Sequence, residues 1–185
     1  MKNKVSSILF SIGVVAAAVA IPPLNEGQLA RVDEQGQTYY EIRARNPNGN
    51  LGGSVPVYGG TSPSRHVTIR ATSFWRVADG ESGAPIQPDG SGRAKPGNMS
   101  GFKAPNMKPW ALLGQWQQFD QDPASGNFGN FTNLSGLFEI DFGGTFDVPI
   151  FAPEPNKWVA LRYYCNDEDY TDNTGWLHVY ESYAP

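Results

Sequence analysis

Cysteine and histidine are almost missing from this chain. Of 185 residues, Cys165 is the only cysteine, and His66 and His178 are the only histidines. A single cysteine excludes an intrachain disulfide, and two isolated histidines form no His-Glu-x-x-His zinc motif. No Gly-x-Ser-x-Gly elbow or phosphate-cradling glycine loop occurs either. Basic charge is scarce, with 14 Lys and Arg against 18 Asp and Glu for a formal net charge of −4. That is the wrong sign for nucleic acid, which needs a cationic footprint to displace phosphate counterions, and for anionic membranes. Helical periodicity is nearly absent beyond the N-terminus, where 21 glycines and 15 prolines punctuate the sequence.

There is one long apolar run, and it is N-terminal. Lys2 and Lys4 precede a mostly apolar Val5–Val15, and Ala18-Val19-Ala20 offers small residues where a signal peptidase cuts. The run to Ile21 carries serines and Gly13, which makes it marginal against the roughly 20 residues a spanning helix needs. The expectation is a signal peptide over residues 1–20 and a mature 21–185 that is secreted, periplasmic or on the cell surface. Cleavage removes two lysines and no acid, so the remainder is more acidic still and has no membrane contact. Its length suffices for one domain with a core of its own, in which Cys165 is read as a small buried hydrophobe.

What the mature region does contain is alternation with period two, the mark of half-buried strands. Thr38–Ala44 places Tyr40, Ile42 and Ala44 on one face, and Val67–Ala71 does the same with Val67, Ile69 and Ala71. Further candidates are Trp110–Trp116, Leu137–Ile140, Thr145–Ile150, Trp158–Cys165 and Trp176–Tyr180. Short strands separated by turn signals predict an all-β fold, a single-domain β-sandwich of jelly-roll-like form. Residues 46–65 and 78–109, dense in Gly and Pro, read as long loops, and loops of that length commonly carry function.

Between the last two strands lies Asn166-Asp167-Glu168-Asp169-Tyr170-Thr171-Asp172-Asn173-Thr174-Gly175. Its carboxylates repel one another with no cation in the segment to relieve them. Ca²⁺ would, since it takes six to eight oxygens from carboxylates, amides and carbonyls. A solvated polar turn is the alternative, because Asp, Asn and Gly suit turns. The two flanking strands are expected to pair antiparallel and so bring the loop oxygens together. An EF-hand is excluded: counting from Asp167, position 6 is Asp172 instead of Gly and position 12 is His178 instead of Glu.

The run Asn166-Asp167 … Asp172-Asn173-Thr174-Gly175-Trp176-Leu177-His178-Val179 resembles the C-terminal signature of the PA-IL-like calcium-dependent galactophilic lectins. Val67–Trp75, Pro88-Asp89-Gly90, Ala111–Gln115 and Phe142–Phe146 are similar, in order, to upstream elements of that family. The likeness covers roughly Val67 to Glu181. It implies calcium held by Asp167, Asp172 and Asn173, by a carbonyl of Asp169 or Tyr170, and by the carbonyl near Val77. Two sugar hydroxyls would complete the shell, with Gln87 and Asp89 bonding the sugar from a facing loop. The chain departs from the family in a shorter Asp167–Asp172 spacing. It also has an Asp in place of one Asn, and Gln87 where the family has a sugar-contacting His. The sugar, galactoside or other, is therefore left open.

Rings that could stack on a sugar are Tyr170, inside the loop, and Trp75 and Trp110, which border the 78–109 segment. Trp158 and Trp176 are read as core. Asp141, Asp147 and Glu154 are carboxylates that nothing in the sequence singles out as the pair a glycosidase needs. The resulting expectation is a calcium-dependent carbohydrate-binding protein and not an enzyme. Weak single sites would favour a homo-oligomer or surface assembly. The alternatives are a structural or adhesive protein whose calcium only rigidifies a loop, and a glycoside hydrolase.

Overall fold

A computed structural model describes residues 30–57, 66–77, 84–123, 130–148 and 157–184, the side chains of 54–57 excepted. The signal-like segment 1–20, residues 58–65 and 78–83, Pro149, Ile150 and Glu154 lie outside the described residues. Among the described residues no helix is long and apolar enough to cross a membrane.

The strands are β1 (Ala30–Val32), β2 (Thr38–Arg43), β3 (Asn50–Val57), β4 (His66–Arg76), β5 (Pro85–Ile86) and β6 (Leu112–Phe119). They continue with β7 (Phe131–Asn133), β8 (Phe138–Glu139), β9 (Gly143–Asp147), β10 (Lys157–Cys165) and β11 (Thr174–Ala184). They build two antiparallel sheets, one ordered β1-β2-β11-β4-β5 with β9 also on β4, the other β3-β10-β6-β7 with β8 also on β6. The sheets pack face to face as an all-β sandwich. Alternation decides which side faces in. Val67, Ile69 and Ala71 of β4 and Leu177 and Val179 of β11 meet Trp116 of β6 and Val159, Leu161 and Tyr163 of β10 in one continuous core. Each such aliphatic side chain, fully buried, contributes about 1.5–3 kcal/mol. Cys165 is fully buried among them, and desolvation pushes its thiol well above the ordinary value.

Two expectations fail here. The first is that Trp158–Cys165 and Trp176–Tyr180 pair with each other. β10 instead pairs with β3 and β6, and β11 with β2 and β4. Val159, Leu161 and Tyr163 of β10 meet Leu177 and Val179 of β11 across the core, so the two strands stack in opposite layers. The 166–173 loop is thus a bridge between sheets. The second is that 46–65 is a loop throughout, because Asn50–Val57 is the edge strand β3. Its glycines have a packing reason. A Cβ at Gly52 would stand 1.9 Å from Glu181 Oε1 and 2.7 Å from Tyr163 Cε2. Pro56, which cannot donate to a ladder, is tolerated on an edge strand. Within 84–109 the chain is turns apart from the short β5.

Candidate functional site

The loop is anchored at each end by a fully buried asparagine. Asn166 follows β10 directly, and its amide nitrogen donates to the carbonyls of Ala104 (3.1 Å) and Lys108 (2.8 Å). Its amide oxygen accepts from the Ala104 N–H at 2.9 Å, its own N–H donates to Ala111 at 3.0 Å, and its carbonyl accepts from Trp110 at 2.6 Å. One residue therefore holds the 104–111 segment against the sandwich. That grip explains how Trp110 keeps φ at +58°, a region costly for a bulky residue unless its surroundings over-determine it. The Trp110 carbonyl in turn accepts from the Trp75 indole at 3.0 Å.

At the other end, Asn173 donates its amide to the Ala44 carbonyl at 3.2 Å and lies beside the Asp167 carboxylate, whose charge it favours. Its Oδ1 has no partner among the described residues, although the residue is completely buried. Leaving a buried acceptor unmatched typically costs about 1–3 kcal/mol. Asp167 beside it is buried, with 6% exposed. Desolvation pushes its carboxyl above the ordinary range and Asp172 adds to that, against hydrogen bonds from Asn173 and the backbone. Asp167, Asp172 and Asn173 thus gather two carboxylates and an orphaned amide oxygen. Among the described residues no three His, Cys, Asp or Glu side chains converge on one point. A cation here would rest on those two acids, the amide and backbone carbonyls, a donor set that suits calcium.

Other sequence-derived positions are differently disposed. The Val77 carbonyl accepts from Arg93 Nη1 at 2.8 Å, so a guanidinium occupies the oxygen that the resemblance assigns to calcium. Asp169 folds its carboxylate back onto Thr171, to the N–H at 2.8 Å and the hydroxyl at 2.6 Å. Those bonds hold it below the ordinary carboxyl range. Tyr170 packs its ring against the core and donates its hydroxyl to the Cys165 carbonyl at 2.7 Å, which leaves its face unavailable for stacking. Trp75 and Trp110 are likewise interior, whereas Trp176, read as core, is 48% exposed.

Gln87 and Asp89 form a turn in which Gln87 N–H bonds Ser91 and Asp89 Oδ1 accepts from Ser91 N–H at 2.9 Å. Burial raises the Asp89 carboxyl, but the Ser91 bonds and the Lys108 charge outweigh it and hold it low. Pro88 accepts from Leu112 and Ala111 accepts from Asn166, so this turn and the acidic loop share one end of the sandwich. Among the candidate hydrolytic carboxylates, Asp141 is bound by Lys108 at 2.6 Å together with Glu139 at 3.5 Å. Asp147 pairs with His66 at 2.7 Å.

Glu181 carries no signal in the sequence. Its carboxylate sits between the sheets, accepting from Tyr163 (2.5 Å), Tyr183 (2.9 Å) and the Gly53 N–H (2.8 Å). Desolvation raises it to about 7 against those bonds. The glycine pair on β3 that leaves room for it is legible only as a loop signal.

No known family's sequence profile matches the chain, and no curated protein matches it either.

Proposed function

We propose that the protein is an exported, calcium-dependent carbohydrate-binding module, not an enzyme, with Asp167, Asp172 and Asn173 holding the ion. The observation that carries this is the unpartnered Oδ1 of buried Asn173 beside the desolvated Asp167 carboxylate. A buried oxygen without a donor, next to a carboxylate that burial destabilises, is what a hard cation satisfies. Bound calcium supplies coordination positions that two vicinal sugar hydroxyls can take. Asp89 and Gln87, in the turn at the same end, are the side chains placed to bond the rest of the sugar. The Asp169 or Tyr170 carbonyl serves better than Val77, whose oxygen Arg93 already occupies. Affinity at one such site is low, so useful binding calls for several copies on an oligomer or surface.

A second reading, that the ion only rigidifies the bridge, is favoured by Tyr170, Trp75 and Trp110 being turned into the core. Calorimetry of residues 21–185 with calcium, then with monosaccharides including galactosides, separates the two. Calcium heat followed by sugar heat, both lost in Asp167→Ala, supports the module. Calcium heat with no sugar response favours the structural reading, and no calcium heat removes both.

A further inference from the structure

The outer face of the β3-β10-β6-β7 sheet carries a groove of about 350 Å³, within the usual range of about 300–1,000 Å³ for small-molecule sites. We infer that this groove binds a carboxylated saccharide unit, and that it does so without a metal ion.

Charge is the first argument. Lys103 and Arg162 line the groove, and none of the described residues lining it is acidic. Neither cation forms an ion pair among the described residues. Their partners are neutral: Arg162 Nε donates to Gln117 Oε1 at 2.7 Å and Nη1 to the Asn48 carbonyl at 2.8 Å. Lys103 Nζ donates to the Pro47 carbonyl at 3.2 Å and lies 4.2 Å from the Tyr164 ring centre. Desolvation and then the Arg162 charge lower the Lys103 ammonium, and desolvation lowers the Arg162 guanidinium. Arg162, half-buried, and Lys103, exposed beside it, are like charges sharing one space, and an anion between them relieves their repulsion. With no acidic side chain among the described residues that line the groove, the anion that joins these cations comes from outside.

Geometry supplies the second argument. Strand register sets Gln115 opposite Arg162 and Gln117 opposite Asn133, which lays a row of amides along the floor. Gln117 is 2% exposed and fixed from both ends, its amide nitrogen donating to Asn133 Oδ1 at 2.8 Å. Tyr164 donates its hydroxyl to Gln115 Oε1 at 3.2 Å. Such pre-ordered amides suit hydroxyl-rich ligands because little entropy is lost on binding. On the rim Phe131 is 53% exposed, an apolar plate for the C–H face of a sugar ring, whose weakly positive hydrogens meet the negative face of the aromatic ring. A bare anion would use the cations and leave the exposed face of Phe131 uncovered. A neutral sugar would leave the cations unpaired.

The groove is separate from the 166–173 loop. Lys103 touches both, its N–H donating to the Asp167 carbonyl at 3.2 Å while its ammonium faces the groove. The test is therefore run with a chelator present, so that the calcium site plays no part. Calorimetry of the full chain compares galacturonate and its dimer with galactose, and with acetate. The expected result is binding of the acid sugar that weakens with added salt and exceeds galactose by at least about tenfold, as a charge-assisted hydrogen bond allows. Lys103→Met, at an exposed position, should remove that preference and Lys103→Arg should keep it. Phe131→Ala should weaken binding of both sugars. Equal binding of galactose, acetate binding as tightly as the sugar acid, loss of binding on chelation, or an unchanged Lys103→Met variant would each overturn the assignment.

Discussion

Replacing Glu181 by glutamine should erase a pH dependence of stability that the wild-type chain carries between about pH 4.5 and pH 7. The carboxyl titrates near 4.5 when unfolded and near 7 in the sandwich, chiefly through desolvation. Below the unfolded value both states are protonated and the group contributes nothing. As pH rises through the window, the unfolded chain loses the proton while the folded chain keeps it, so unfolding is favoured. Above about 7 both states are ionised and the penalty is at its full size. That size is about 3 kcal/mol, from about 1.36 kcal/mol for each pH unit that the window spans. Glutamine cannot ionise and so lacks the slope. It also changes the intercept, since its amide must avoid the Gly53 N–H and turn toward Tyr163. That offset is the same at every pH, so the difference in slope is the diagnostic quantity. Urea denaturation of both proteins at several pH values from about 4.5 to 8 measures it, with the slope of the denaturation curve checked for constancy. Parallel pH profiles for the two proteins would refute the claim that Glu181 is held largely neutral between the sheets.

Two further perturbations test the surrounding framework. Gly52→Ala puts a methyl group 1.9 Å from Glu181 Oε1, and overpacking of this kind should destabilise by about 1–3 kcal/mol in urea melts. Adding Glu181→Ala should return part of that loss, because the clash is then relieved. Asn166→Ala removes the bonds to both backbone groups of Ala104 and to the Lys108 carbonyl. It should destabilise by at least about 3 kcal/mol and speed amide hydrogen exchange in 104–111. Protection left unchanged there would mean that Asn166 does not hold the segment.

Most of the sandwich is legible in the sequence because its long strands alternate cleanly. Val67, Ile69 and Ala71, and Ile42 and Ala44, face inward in the pattern that their spacing predicts. β3 is hidden because Gly52, Gly53 and Pro56 are loop signals when read locally, while their cause is nonlocal: the approach of Glu181 and Tyr163. β1, β5, β7 and β8, two or three residues each, are too short to show a period. The mistaken pairing of β10 with β11 has a different origin. Alternation reports which face of a strand is buried and says nothing of which strand lies beside it. The acidic character of the loop is plain in the sequence. The use of Tyr170 as a core anchor and of Arg93 at Val77 depends on tertiary contacts that no local spacing encodes.

That the loop joins two layers changes what its composition means. A hairpin loop could be acidic simply because water surrounds it, and its amides would then need no partners in the protein. Here the residues at both ends are fully buried, so every polar atom they carry must be satisfied from within. Asn166 meets that demand at all of its positions and has a sufficient structural reason for being an asparagine. Asn173 meets it only at its nitrogen, through Ala44. An aspartate there would add a third charge, and a leucine would abandon Ala44, so the amide is explained. Its idle oxygen is not. Hydrogen bonding therefore divides the loop into termini that serve the fold and one acceptor, beside a buried carboxylate, that the fold does not use. A ligand for that acceptor must be cationic or a strong donor, and because the loop spans the sandwich it would tie the β10 and β11 layers together as it bound.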